Sequence, residues 1–136
     1  MDYGEIAKYR NNRSRFAQKM GIYVEEIREG YAKAVKTIGE DDTNPVGRAH
    51  GAVLFALADT ACGSAAVSRG YKCVTLNATY NFLRGGMVGD IITAEAREVK
   101  YGSTVSVYDV TLTDQNGTLV GTATMTFYCL KEPLDL

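Results

Sequence analysis

The sequence predicts an α+β domain in which a strongly curved antiparallel sheet wraps one long helix. Two observations carry that expectation. From Gly51 to about Ser68 the pattern is helical and apolar nearly all round, through Val53, Leu54, Phe55, Ala56, Leu57, Ala61, Ala65, Ala66 and Val67. A helix with no polar stripe belongs at the centre of a fold. After Gly70 the chain turns to strands joined by short turns, and such strands pair antiparallel. With 136 residues there is room for one core, so 1–136 is read as a single domain.

The elements follow in order. Residues 1–20 are predicted as one surface helix, with Ile6, Tyr9, Phe16 and Met20 at helical spacing and Gly21 placed to end it. Its basic residues, Lys8, Arg10, Arg13, Arg15 and Lys19, read as a solvated face or as a docking patch for a phosphorylated ligand. Residues 22–38 set Ile22, Val24, Tyr31, Val35 and Ile38 among charges, with Gly30 between two runs. That pattern gives two strands, or one bent strand. Gly39 to Pro45 is a turn-rich loop leading to the central helix at 51–68. Strands are then expected at 74–83, 90–99, 104–113 and 119–129. In the second of these, Ile92, Ala94 and Ala96 alternate with Ile91, Thr93, Glu95 and Arg97. In the last, Ala123, Met125, Phe127 and Cys129 alternate with threonines and Tyr128. Asp114-Gln-Asn-Gly117 is a hairpin turn, because Asn-Gly supplies residues of positive φ.

Composition excludes several classes. Fifteen Lys and Arg against sixteen Asp and Glu leave no basic excess for nucleic acid. Three cysteines, Cys62, Cys73 and Cys129, with no CxxC pair and a single histidine, argue against a disulfide framework and against a zinc shell. They read as reduced, mostly buried thiols of a cytoplasmic protein. No targeting segment is expected, since the first twenty residues lack an apolar run. Ala49 to Val67 is apolar enough to imitate a membrane span, but Asp59 near its middle would cost roughly 3 kcal/mol in lipid.

Two places carry chemistry. The first is Asn44-Pro-Val-Gly-Arg-Ala-His-Gly51, which runs into the central helix. His50 stands directly before the helix, where free N–H groups point outward and favour negative charge. Gly51 lets a ligand approach the backbone, so the cluster suits polarisation of a carbonyl oxygen. The plainer reading is that Asn44 and His50 stitch the loop and cap the helix. The second place is Asp59, a carboxylate among Leu57, Ala58, Ala61 and Cys62, with no Lys or Arg in the helix to pair with it. It must be paired, protonated or open to a cavity, and it is a candidate base or nucleophile or else a structural acid.

The run His50-Gly51-Ala-Val-Leu-Phe-Ala-Leu-Ala-Asp59-Thr60, with Asn44-Pro45 upstream, resembles the first motif of hotdog-fold acyl-CoA thioesterases of the phenylacetic-acid-degradation type. Val74-Thr-Leu-Asn-Ala-Thr-Tyr-Asn-Phe-Leu-Arg84 is similar to that family's second signature. The likeness spans roughly residues 16–130. Ala52 stands where the family often has a second glycine, and Arg84-Gly85-Gly86 replaces its usual Arg-Pro-Ala.

The resemblance implies hydrolysis of an acyl-CoA thioester, with no cofactor beyond the substrate's own coenzyme A. It implies a homo-oligomer, a dimer or a homotetramer, whose edge strands pair into one continuous sheet. Carried over by position, the backbone N–H of Gly51 holds the thioester oxygen. Asp59 is nucleophile or general base, reaching in from the neighbouring subunit. Asn44 helps place the water or Asp59, and His50 orients the loop or the thioester end. Thr75 falls at the family's strand hydroxyl that positions water, and a slip of the placement by two would put Asn77 there instead. Arg84, with Gly85 and Asn77, contacts the coenzyme A portion. Two other functions remain open on the same fold: a hydratase or dehydratase of enoyl or hydroxyacyl thioesters, and a non-enzymatic acyl-CoA-binding module.

Overall fold

The computed structural model describes all of residues 1–136. The N-terminal segment forms two helices, α1 (Tyr3–Arg13) and α2 (Arg15–Met20), where one was expected. Ser14 breaks the run. Its backbone is extended, and its hydroxyl accepts the Ala17 N–H at 3.2 Å, which makes it the N-cap of α2. The break changes the helical phase, so Ala17 goes into the core and Phe16 is left 60% exposed. Gly21 ends α2 in the left-handed conformation at φ 69°, as predicted. The basic residues are mostly solvated, but Arg10 is half-buried against the central helix.

Residues 22–38 form two strands, β1 (Tyr23–Arg28) and β2 (Tyr31–Thr37), which turn at Gly30. The Gly30 N–H donates to Ser68 Oγ at 2.9 Å, tying this hairpin to the far end of the central helix. That helix, α3 (Gly51–Ala66), continues as a 3₁₀ turn, Val67–Arg69, and stops at Gly70 with φ 92°. Then follow β3 (Tyr71–Phe82), β4 (Ile91–Lys100), β5 (Val105–Thr113) and β6 (Leu119–Pro133). Strands β3 and β6 run longer than expected, because Tyr71 pairs with Pro133 beyond Cys129.

All pairs are antiparallel and the order is β1-β2-β4-β5-β6-β3. Strand β3 is therefore an edge, beside β6, and residues 83–90 cross back to β4. The predicted parity holds in β4, where Ile92, Ala94 and Ala96 face inward. Ala32 and Ala34 of β2, with Ala94 and Ala96 of β4, lie against α3 together with Ala58 and Ala61, all fully buried. Small side chains on both surfaces let the helix settle closely into the concave sheet.

The helix is not covered on every side. Ala52 and Phe55 are exposed, and Ala56 and Asp59 are only half-buried. These four lie at i, i+3, i+4 and i+7, one stripe of the helix. The six strands enclose the other faces and leave this stripe open. The span Gly51–Arg69 is long and apolar enough for a bilayer, but 72% of it is packed inside the domain, which accounts for its apolarity. Of the thiols, only Cys62 is buried, whereas Cys73 and Cys129 are half-buried.

Candidate active site

The loop before α3 is held from several directions. Asn44 Oδ1 accepts the N–H groups of Val46 and Arg48 at 3.1 and 3.0 Å, and the Asn44 N–H donates to Arg48 O at 2.7 Å. The His50 N–H donates to Asp42 O at 2.7 Å, and the Ala49 N–H donates to Gly86 O at 2.8 Å. His50 is the N-cap, its Nδ1 accepting the Ala52 N–H at 2.9 Å. A ring nitrogen that accepts carries no proton, so the hydrogen of the neutral ring sits on Nε2, on the exposed side. The plain reading of Asn44 and His50 thus holds for one end of each side chain. The Asn44 amide donors and His50 Nε2 stay free of protein partners. The Gly51 N–H, first of the helix, likewise has no protein acceptor.

Beside this N-terminus lies a cleft of about 440 Å³, lined in part by Asn44, Arg48, Gly51, Phe82, Arg84 and Gly85. The Phe82 ring sits where a Cβ on Gly51 would meet it at 3.1 Å. Tyr80 packs tilted against Phe82 with centroids 4.2 Å apart, and the Phe55 ring of the open helix stripe lies 6.2 Å from that of Tyr80. The Tyr80 hydroxyl is buried without a hydrogen-bond partner, and burial pushes it up to about 12. An unpaired buried hydroxyl costs about 1–3 kcal/mol. Tyr80→Phe is therefore expected to raise unfolding stability by about 1 kcal/mol, read by urea denaturation; a loss of stability would mean the hydroxyl has a partner.

Asp59 lies eight residues beyond Gly51, on the same open stripe. Its Oδ1 accepts the hydroxyl of Thr75 on β3 at 2.6 Å. The strand hydroxyl that meets Asp59 is that of Thr75, and Asn77 stands beyond the register shift that follows it. A cation that the helix sequence does not provide packs on the neighbouring turn of α3. Arg10 of α1 donates from Nε to Ser64 Oγ at 3.0 Å and from Nη2 to Thr60 O at 3.3 Å. Burial lowers its pKa, and the charge of Asp59 is the strongest influence in the other direction. Asp59 is thus half-buried and hydrogen-bonded to Thr75.

Residues 46–121 match the thioesterase superfamily, which is more than half of the chain. The acyl-coenzyme A thioesterase PaaI of Escherichia coli is 36% identical over 99 residues, 73% of this chain and 71% of that protein. The chain belongs to the thioesterase superfamily. A solved structure of the E. coli PaaI protein from the phenylacetic acid degradation operon superposes with a TM-score of 0.85 at 28% identity, covering 94% of this chain and 98% of that one. A hypothetical thioesterase protein from Streptococcus pneumoniae, solved with coenzyme A, gives 0.79 at 32% identity over 83% of this chain and 91% of its own. Two further structures of that S. pneumoniae protein carry an Asp-to-Ala and a Thr-to-Ala substitution sixteen positions apart. Asp59 and Thr75 are also sixteen apart.

The fold is the hotdog fold of this superfamily, with α3 as the filling. Within the chain the expected site residues fall into two groups. Asn44, Gly51, Arg84 and Gly85 share the cleft, and His50 caps the helix directly before Gly51. Asp59 and Thr75 form a separate pair further along the helix, and Asn77 is exposed on β3. Two residues were missed by sequence reasoning. Arg48 puts a second guanidinium into the cleft, its stem packed over Gly85. It lay inside the motif already singled out, and its type alone was a signal. Arg10 gave none, because its place against Thr60 and Ser64 of α3 depends on how α1 packs.

Proposed function

We propose that this thioesterase-superfamily chain hydrolyses an acyl-CoA thioester to a free acid and coenzyme A. The observation that carries the reading is the Asp59–Thr75 pair on the open stripe of a helix whose N-terminal N–H is free. The Gly51 N–H, at the positive end of α3, receives the thioester carbonyl oxygen as it gains negative charge. Asp59 acts in one of two ways. As a base it takes a proton from water, whose oxygen attacks the carbonyl carbon. As a nucleophile it attacks directly and forms an anhydride that water then opens. In either case the carbon–sulfur bond breaks and coenzyme A leaves as its thiol. The Thr75 hydroxyl orients the carboxylate, the free Asn44 amide donors guide the water, and His50 steadies the rim. Arg48 and Arg84 offer cations to the phosphates of coenzyme A, with Gly85 and Asn77 near its path.

The same geometry supports an oligomer. Gly51 and Asp59 are separated by roughly 12 Å along one helix, from 1.5 Å of rise per residue. One carbonyl group cannot meet both. The site is complete if Gly51 of one protomer faces Asp59 of the partner subunit. Strand β3 offers the means, since its outer edge is unpaired and Val74 and Leu76 are exposed upon it. The assembly is a homodimer that pairs again into a homotetramer, cytoplasmic, without metal and without nucleic acid or membrane as partner.

The assay is release of free thiol from a panel of acyl-CoA thioesters, with and without a chelator. Turnover is expected in both. Binding without thiol release would favour the acyl-CoA-binding module, and a change in enoyl-CoA absorbance without thiol release would favour the hydratase. Sedimentation should show an assembly of at least two chains; a fully active 14.8 kDa monomer would overturn the shared site.

A further inference from the structure

Cys73 of β3 and Cys129 of β6 face each other in register. The Cys129 N–H donates away from β3, to Thr104 O just ahead of β5, at 2.7 Å. The backbone polar groups of Cys129 therefore turn towards β5, and Cys73–Cys129 is a non-hydrogen-bonded pair. In such pairs the Cα atoms lie about 4.5 Å apart, at the near end of the roughly 4.4–6.8 Å that a disulfide spans. Facing residues send their side chains to the same side of the sheet, so the two thiols meet. Burial, then the charge and hydrogen bond of Cys129, push the Cys73 thiol up to about 12.

The two thiols differ in access. Cys129 lines a cleft of about 360 Å³ with Tyr71, Tyr101, Ser103 and Lys131. Its Sγ accepts the Lys131 N–H at 3.4 Å, from a residue held at φ 60°. Cys73 is turned towards the end of α3, where its thiol meets Ala66 O at 3.6 Å. An oxidant arriving from solvent thus meets Cys129 first, with Cys73 behind it.

We propose that Cys73 and Cys129 form a reversible cross-strand disulfide when the protein meets a peroxide. In the first step the Cys129 sulfur takes an oxygen from hydrogen peroxide, giving a sulfenic acid and one water. The Cys73 sulfur then attacks it. The sulfur–sulfur bond forms, the sulfur–oxygen bond breaks, and the hydroxide leaves with the Cys73 proton as a second water. Two thiols are oxidised and one peroxide is reduced. The bond ties edge strand β3 to β6 two residues from Thr75, whose hydroxyl holds Asp59.

The test treats the intact protein with hydrogen peroxide, then denatures it in an alkylating agent. Alkylated thiols should fall from the three of the chain to one, and the intact mass before alkylation should be about 2 Da lower. Peptide mapping should find Cys73 joined to Cys129 and Cys62 alkylated, and dithiothreitol should restore all three thiols. In Cys73→Ser, Cys129 should instead advance to sulfinic acid. Three retained thiols, a bridge between chains, a bridge to Cys62, or sulfinic acid at Cys129 of the unmodified sequence would each overturn the proposal.

Discussion

Asp59→Asn is expected to lower kcat for acyl-CoA hydrolysis by about 10²–10⁴, the range for loss of a positioned base. The amide keeps the size of the side chain, and its oxygen still accepts the Thr75 hydroxyl now bonded to Asp59 at 2.6 Å. It removes both roles open to the carboxylate, since an amide neither takes a proton from water nor attacks a thioester. Coenzyme A binding should persist, because Arg48 and Arg84 lie at the other group of site residues. Folding should change little, because the position is half-buried and Arg10 keeps its bonds to Ser64 and Thr60. The measurement is single-turnover thiol release beside a coenzyme A binding titration. A variant that keeps more than about a tenth of wild-type turnover would remove Asp59 from the chemistry.

What the sequence revealed depended on how local each signal was. The inward residues of β4 and β6 followed from alternation within ten or so residues. The turns at Gly21, Gly30 and Gly70 followed from single glycines, each at positive φ in the structure. The break at Ser14 was hidden, because one serine within a helical run reads equally as a surface residue or a cap. The open stripe of α3 was hidden for another reason. Ala52, Phe55 and Ala56 are as apolar as the covered residues, and only the ends of the sheet decide which of them stay exposed. The motif grouped Asn44, Gly51 and Asp59 in sequence, whereas the helix rise separates Asp59 from the cleft in space. That separation is the ground on which a second copy of the chain is proposed to complete the site.

The loop that carries the candidate site is secured from beneath, and breaking that support should have the largest effect on stability. Lys36 of β2 is 6% exposed, and its Nζ lies 3.1 Å from Oδ2 of Asp42, itself 13% exposed. The ammonium also donates to Met20 O at the end of α2. Asp42 passes the constraint on: its carboxylate accepts the Gly39 N–H at 2.8 Å, and its carbonyl accepts the His50 N–H. Lys36→Met fills the same space and leaves a mostly buried carboxylate without its cation. Breaking such a pair from one side costs about 3–5 kcal/mol, a large share of the roughly 5–15 kcal/mol that holds a domain together. The double variant Lys36→Met with Asp42→Asn should regain most of this, because no charge is then left unpaired. Urea unfolding of the three proteins gives the coupling directly, and KM for acyl-CoA should rise in the single variant as the helix start loosens. A single variant within about 1 kcal/mol of wild type would show that water already reaches Asp42, and that the loop owes its position to Asn44 and Gly86 instead.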